Sequence, residues 1–152
     1  MCEHCGCRGV EPIAQLMDEH FALLDLSASV RGLLVADDRA GAWAELGQLS
    51  SHLLDHVRRE EAGVFRALRD QGDFVDAVLE LEAEHLSFDE ALSELDLASP
   101  EFEGQVSHLL DDLSLHIDKE NLGIFPVTVV TLGATGWATV DAAHARPPAH
   151  AH

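Results

Sequence analysis

Apolar residues recur along this chain at alternating steps of three and four, the interval that keeps one stripe of a helix against a core. The first stripe is Ile13, Leu16, His20, Leu23, Ser27, Val30 and Leu34. Pro12 suits the first turn of that helix, where its missing N–H would be unpaired anyway, and Ala36-Asp37-Asp38-Arg39-Ala40-Gly41 breaks the run. A second stripe holds Leu46, Leu49, Leu53, His56, Glu60, Gly63 or Val64, and Ala67, with a stop at Asp70-Gln71-Gly72. The third runs from Asp73, a plausible N-cap, through Phe74, Val78, Leu81, His85, Phe88, Leu92 and Leu95. Ser99-Pro100-Glu101 opens the fourth, whose stripe is Val106, Leu109, Leu113, His116, Glu120, Gly123 or Ile124, and Val127. Pro126 should bend or break this helix, because it removes a donor and crowds the preceding turn. Residues 137–143 read as a short fifth helix that packs Trp137 and Val140 on the rest. The pattern predicts an all-α, up-down-up-down four-helix bundle with a short C-terminal fifth helix. Its divisions are a cysteine-containing tip at 1–9, the bundle at 10–133, and the short helix with a mobile tail at 134–152.

Composition narrows the function. With 152 residues the chain can bury a sizeable core as one domain. Acidic residues outnumber basic ones 28 to 9, a net charge of −19 with histidines neutral. Such a chain repels phosphate backbones and anionic lipid surfaces, so neither nucleic acid nor a membrane is an expected partner. No apolar run approaches the ~20 residues that span a bilayer, and no basic-then-apolar leader is visible, so a cytoplasmic protein is expected. The three cysteines, Cys2, Cys5 and Cys7, cannot staple a fold from one end of it. With His4 among them they read as a metal knuckle without its second ligand pair, a redox-active tip, or an ordinary flexible end.

The stripes are interrupted by polar residues in a repeated way. The stretches from His56 to Phe65 and from His116 to Phe125 both read H-x3-E-x2-G-(V/I)-F, and each follows a Glu-His pair, Glu19-His20 or Glu84-His85. Glu60 and Glu120 stand where leucine is expected. An isolated buried carboxylate costs several kcal/mol unless it is paired, protonated or bound to a cation. Arg58, Arg59 and Lys119 lie off the stripe, whereas His20, His56, His85 and His116 share it. Residues four apart lie one turn above the other, so each H-x3-E pair can bring an imidazole and a carboxylate to one centre. Four imidazoles and two carboxylates suit two borderline metal ions, each with two histidines, and both carboxylates bridging. An oxo or hydroxo bridge would leave one coordination place open, and mixed ligation of this kind favours iron over calcium or a structural zinc.

Other residues border this set. His52, four before His56, and Asp89, four after His85, are candidates for an additional ligand or for a group behind the ligands. Glu19 and Glu84 either orient the neighbouring histidines or belong to the acidic surface. His108 reads as surface, and His144, His150 and His152 as tail. Gly63 and Gly123 cost their helices ~1 kcal/mol relative to alanine. They serve either close helix packing or room for a small molecule beside the metals, walled by Phe21, Phe65, Phe88 and Phe125. That apolar lining would admit O2, NO or H2O2 and disfavour anions.

At these residues the sequence resembles the hemerythrin-like, HHE cation-binding family, whose pattern is H … H-x3-E … H … H-x3-E on a four-helix bundle, from about Ile13 to Leu132. The resemblance implies a non-haem diiron centre ligated by His20, His56, His85 and His116 and bridged by Glu60 and Glu120. Oxygen-carrying hemerythrins add a histidine on the third helix four residues from another ligand, where this chain has Leu81 and Asp89. That departure favours reaction with peroxide or NO over simple O2 carriage. A ferritin-like bundle needs two E-x-x-H pairs, and only Glu82-x-x-His85 fits, since Met17 precedes His20. The expected function is therefore a diiron protein that consumes peroxide or reacts with NO or O2 in oxidative or nitrosative stress defence. The alternatives are a protein that binds, stores or senses O2 or iron without turnover, and a purely structural bundle.

Overall fold

The computed structural model describes residues 10–145; the cysteine tip, His150 and His152 lie outside them. Among the described residues every regular element is helical. They are α1 (Glu11–Val35), α2 (Arg39–Ala62), α3 (Val64–Gln71), α4 (Val75–Glu94), α5 (Phe102–Lys119), α6 (Phe125–Thr131) and α7 (Ala134–Ala145), with a π-helical turn, Glu120–Ile124, between α5 and α6. Pro12 stands in the first turn of α1 as expected. Asp38 caps α2 by accepting the Gly41 N–H at 2.9 Å.

Three boundaries differ from the sequence reading, and a fourth, the break at Pro126, falls where it was expected; each has a local reason. The second predicted helix is two: α2 stops at Ala62, Gly63 turns the chain with φ −104° and ψ −99°, and α3 resumes at Val64. A Cβ on Gly63 would lie 2.9 Å from the Arg59 carbonyl oxygen and 3.2 Å from the Ala143 Cβ, so the glycine lets α7 settle against the break. The fourth helix changes register ahead of Pro126. The Phe125 N–H bonds to the Glu120 carbonyl, an i→i−5 step, and α6 then restarts with proline in its first turn. The third helix begins at Val75 rather than at an Asp73 cap, because Gly72 and Phe74 both turn left-handed (φ 81° and 56°). Asp73 instead closes α3, its N–H bonding to the Leu68 carbonyl at 3.0 Å. Ser99 does accept the Glu101 N–H at 3.1 Å, but residues 99–101 form a turn and the helix opens at Phe102.

Helix α1 lies along α2 and α4 along α5; α1 also meets α5, α2 meets α4, and α7 covers α3 and the end of α2. Two apolar clusters fill the interior. One gathers Ile13, Leu16, Val64, Phe65, Leu81, Phe125 and Val140; the other gathers Leu23, Leu49, Phe88, Val106, Leu110 and Leu113. Along α1 and α4 the chain passes from the first cluster to the second, and along α2 and α5 from the second toward the first. Between the two lies one polar layer, built from His20, His56, Glu60, His85, His116 and Glu120. Trp137 and Val140 of α7 pack on the first cluster, so the expected fifth helix is part of the core.

Candidate metal centre

Each long helix delivers its histidine at the same depth. His20 stands three residues before Leu23 on α1, and His85 three before Phe88 on α4. His56 and His116 each precede a glutamate by one turn. All six polar residues are at most 5% exposed. Such burial of two carboxylates is costly without partners.

The donor atoms fall into two sets that share both glutamates. His20, His56, Glu60 and Glu120 form one and His85, His116, Glu60 and Glu120 the other; within each set the ligand atoms lie within 4.8 Å of one another and could hold a metal ion. In the first half, Glu120 Oε1 is 2.8 Å from His20 Nε2 and Glu60 Oε2 is 3.1 Å from His56 Nε2. In the second, Glu60 Oε1 is 3.3 Å from His85 Nε2 and Glu120 Oε2 is 3.2 Å from His116 Nε2. Each carboxylate therefore presents one oxygen to each half.

These approaches are close but not aligned as hydrogen bonds. His20 Nε2, His56 Nε2 and all four oxygens of Glu60 and Glu120 are buried without a hydrogen-bond partner, although buried polar atoms are nearly always bonded. His85 Nε2 and His116 Nε2 face each other at 3.1 Å. Converging imidazole nitrogens and carboxylate oxygens with unfilled valences fit a pair of cations better than a hydrogen-bonded core.

The other nitrogen of every ring is held from behind. His56 Nδ1 donates to Glu19 at 2.7 Å and His116 Nδ1 to Glu84 at 2.7 Å. His85 Nδ1 donates to Glu61 at 2.9 Å and His20 Nδ1 to the Asn121 side-chain oxygen at 2.8 Å. These bonds put the proton on Nδ1 and leave Nε2 facing the centre. Glu19 and Glu84 thus serve the partner helix and not the histidine beside each in sequence. Glu19 pairs with Arg59, and Glu84 with Lys119 at 2.5 Å. Burial opposes ionisation of Glu19, but His56 and Arg59 outweigh it and hold its pKa below the ordinary value. Glu84 is depressed in the same way by Lys119 and His116 against its own burial.

Without a cation the central glutamates govern the rings. Burial opposes protonation of His85, yet Glu120, Glu60 and Glu61 outweigh it and raise its pKa to about 11. His56 and His116 are raised for the same reason, and Glu120, despite its burial, is held well below the carboxylate range by the four histidines.

Of the residues expected to wall the centre, three do so. Phe125 stacks on His20 (centroids 5.4 Å apart, 13° between planes), Phe65 stacks on His85 (5.6 Å, 14°), and Phe88 meets His116 edge-on at 5.2 Å. Phe21 is a correction: one residue on from His20, it is turned off the stripe and is 47% exposed. Gly63 is another, since Ala143 fills the space beside it. Gly123 has nothing within 4 Å of where a Cβ would stand. It borders a groove of about 650 Å³ lined also by Phe88, His116 and Leu122. His52 and Asp89 stand on exposed positions outside both donor sets, because each is displaced from its helix's buried stripe. Glu82 pairs with Arg69 and so supplies no ferritin-like ligand. His144 belongs to α7, where its Nδ1 donates to Gln15 at 2.6 Å; its burial and Arg59 lower its pKa.

Sequence reasoning missed Glu61 and Asn121 behind the rings, and it turned Arg59 outward although its side chain is 9% exposed. The available signal was position: Glu61 and Asn121 each follow a central glutamate, and Arg59 and Lys119 each precede one.

No curated protein and no solved structure matches the chain. The family model for the hemerythrin HHE cation-binding domain matches residues 11–128. That span takes in all four long helices and both donor sets, and the chain belongs to the hemerythrin HHE cation-binding family.

Proposed function

We propose that the polar layer is a non-haem diiron centre in which His20 and His56 hold one iron, His85 and His116 the other, and Glu60 and Glu120 bridge them. The observation that carries this reading is the shared geometry of the two glutamates: each offers one unbonded oxygen to each pair of histidine Nε2 atoms. The four long helices form the frame as an up-down-up-down bundle with α7 as its fifth member. The centre reacts with a small neutral molecule, H2O2, NO or O2, in oxidative or nitrosative stress defence in the cytoplasm. The described helices include none long and apolar enough to cross a membrane.

Bound iron would supply the electrons and open coordination that such molecules need. The chain's own residues do the rest. Glu19, Glu61, Glu84 and Asn121 fix the ring orientations through Nδ1. Phe65, Phe88 and Phe125 exclude water from the ring faces. The groove lined by Gly123 and His116 gives a small uncharged molecule a way toward the second half, and Glu84, Asp112 and Asp118 on its wall, against the single cation of Lys119, turn anions away. Leu81, buried in the apolar cluster one turn before His85, supplies no ligand there, which leaves the second half with only two histidines.

The test is the optical spectrum of iron-loaded, anaerobically reduced protein as O2 is admitted and removed, followed by H2O2 and NO consumption assays. Irreversible oxidation with turnover that Glu60→Ala abolishes supports the reading. A stoichiometric absorption change that reverses on deoxygenation, without turnover, would replace it with reversible O2 binding. Failure to bind iron would overturn both.

A further inference from the structure

The two halves of the centre are alike in ligands but not in the charge behind them. Both have one buttressed carboxylate: Glu19 with Arg59 behind His56, and Glu84 with Lys119 behind His116. They part at the remaining histidine. His20 leans on the neutral side chain of Asn121, whereas His85 leans on the carboxylate of Glu61. Glu61 forms no ion pair with lysine or arginine among the described residues. Lys119 is itself divided, lying 3.6 Å from Glu80 as well as 2.5 Å from Glu84, and it is half exposed where Arg59 is nearly buried. Among the groups bonded to the ring Nδ1 atoms and their ion-pair partners, the His85/His116 half therefore carries at least one more negative charge than the His20/His56 half.

An anionic acceptor on Nδ1 makes Nε2 a stronger donor and adds a direct attraction for a cation. Resting on the metal-centre reading above, we infer that the centre fills in order: the first divalent cation binds at the His85/His116 half, and the Glu61/Asn121 difference sets that order. The sequence places the difference at one repeat position, the residue after each central glutamate, as Glu60-Glu61 against Glu120-Asn121.

The test is a titration of the metal-free full chain with Co2+ under exclusion of O2, followed by absorption and by the paramagnetically shifted imidazole N–H resonances. Wild type should bind two equivalents in separable steps, with the His85 and His116 resonances shifting at the first and those of His20 and His56 at the second. Glu61→Gln keeps the hydrogen bond to His85 and removes only the charge. It should weaken the first step by about tenfold or more, within the 10–100-fold typical of outer-shell changes, and bring the steps together. Asn121→Asp should strengthen the second step. Two equivalents bound with indistinguishable affinities, the reverse order of shifts, or a Glu61→Gln titration identical to wild type would overturn the inference and leave the metal centre standing. Absence of any binding would overturn both.

Discussion

The two repeats of this chain build the same interior and different exteriors. Inside, His56-Glu60-Phe65 and His116-Glu120-Phe125 are interchangeable: each glutamate spans both halves, and each phenylalanine stacks on a histidine of the other repeat, Phe65 on His85 and Phe125 on His20. Outside, the repeats diverge at their shared glycine. Gly63 breaks the helix and is sealed by Ala143 of α7, while Gly123 sits in a π turn with open space beside it. A polar layer built from two repeats tolerates no drift where both halves converge on the same two carboxylates. The surrounding shell is free to close one side and open the other.

The likeness of the interiors is tested first by pH, where the largest effect is expected. In the metal-free protein His85 has its pKa raised from 6.5 to about 11, and His56 and His116 move the same way. A group raised in the folded state contributes stability that is complete below its unfolded pKa and is lost as pH rises toward the folded one. Glu120, depressed, contributes stability present above its ordinary 4.5 and lost in acid. Metal-free protein should therefore melt highest at mildly acidic pH, between about 4.5 and 6.5, and lose stability from about pH 6.5 toward about pH 11; scanning calorimetry across that range checks it. A melting temperature that rises over the same interval contradicts the charge assignment.

Next come the stacked rings. Phe65→Ala and Phe125→Ala each empty a fully buried site, and each should cost about 3–5 kcal/mol in denaturant unfolding. Near-equal costs are the signature of equivalent interiors. A difference of more than about 2 kcal/mol between them would show that the halves are packed unequally.

The unlike exteriors predict a smaller and opposite pair. Gly63→Ala forces a Cβ against the Arg59 carbonyl and Ala143, and should destabilise by about 1–3 kcal/mol. Gly123→Ala meets nothing and removes backbone freedom, so it should be neutral or stabilising by up to about 1 kcal/mol. Equal penalties at the two glycines would mean that α7 does not seal the first repeat. The smallest expected effect is at His52 and Asp89, where alanine should leave melting within about 0.5 kcal/mol of wild type and cation affinity unchanged.

The polar layer was legible because each of its members interrupts an apolar stripe at a position where leucine would otherwise stand, and because the interruption occurs twice. Helical stripes also revealed Val140 and Trp137 as packing residues. What stayed hidden depends on contacts between distant segments. Nothing local to Gly63 announces α7, so a helix stop three residues after Glu60 looks like a tolerated glycine. Glu61 and Asn121 reach histidines of the opposite repeat, and no helical spacing links them. Phe21 misled by proximity in sequence: adjacent to a core histidine, it is rotated by about 100° from it and faces outward. Arg59 lies off the stripe as expected, yet its guanidinium folds back onto Glu19.

The central claim is that two glutamates bridge a pair of cations, and the most direct test is metal stoichiometry. Wild-type chain, Glu60→Ala and Glu120→Ala should be loaded anaerobically with Fe2+, freed of excess, and analysed for iron per chain alongside circular dichroism to confirm helix content. Two equivalents are expected in the wild type, and loss of bound iron in either variant with the helices retained. Two full equivalents in the variants, or none in the wild type, would contradict that claim.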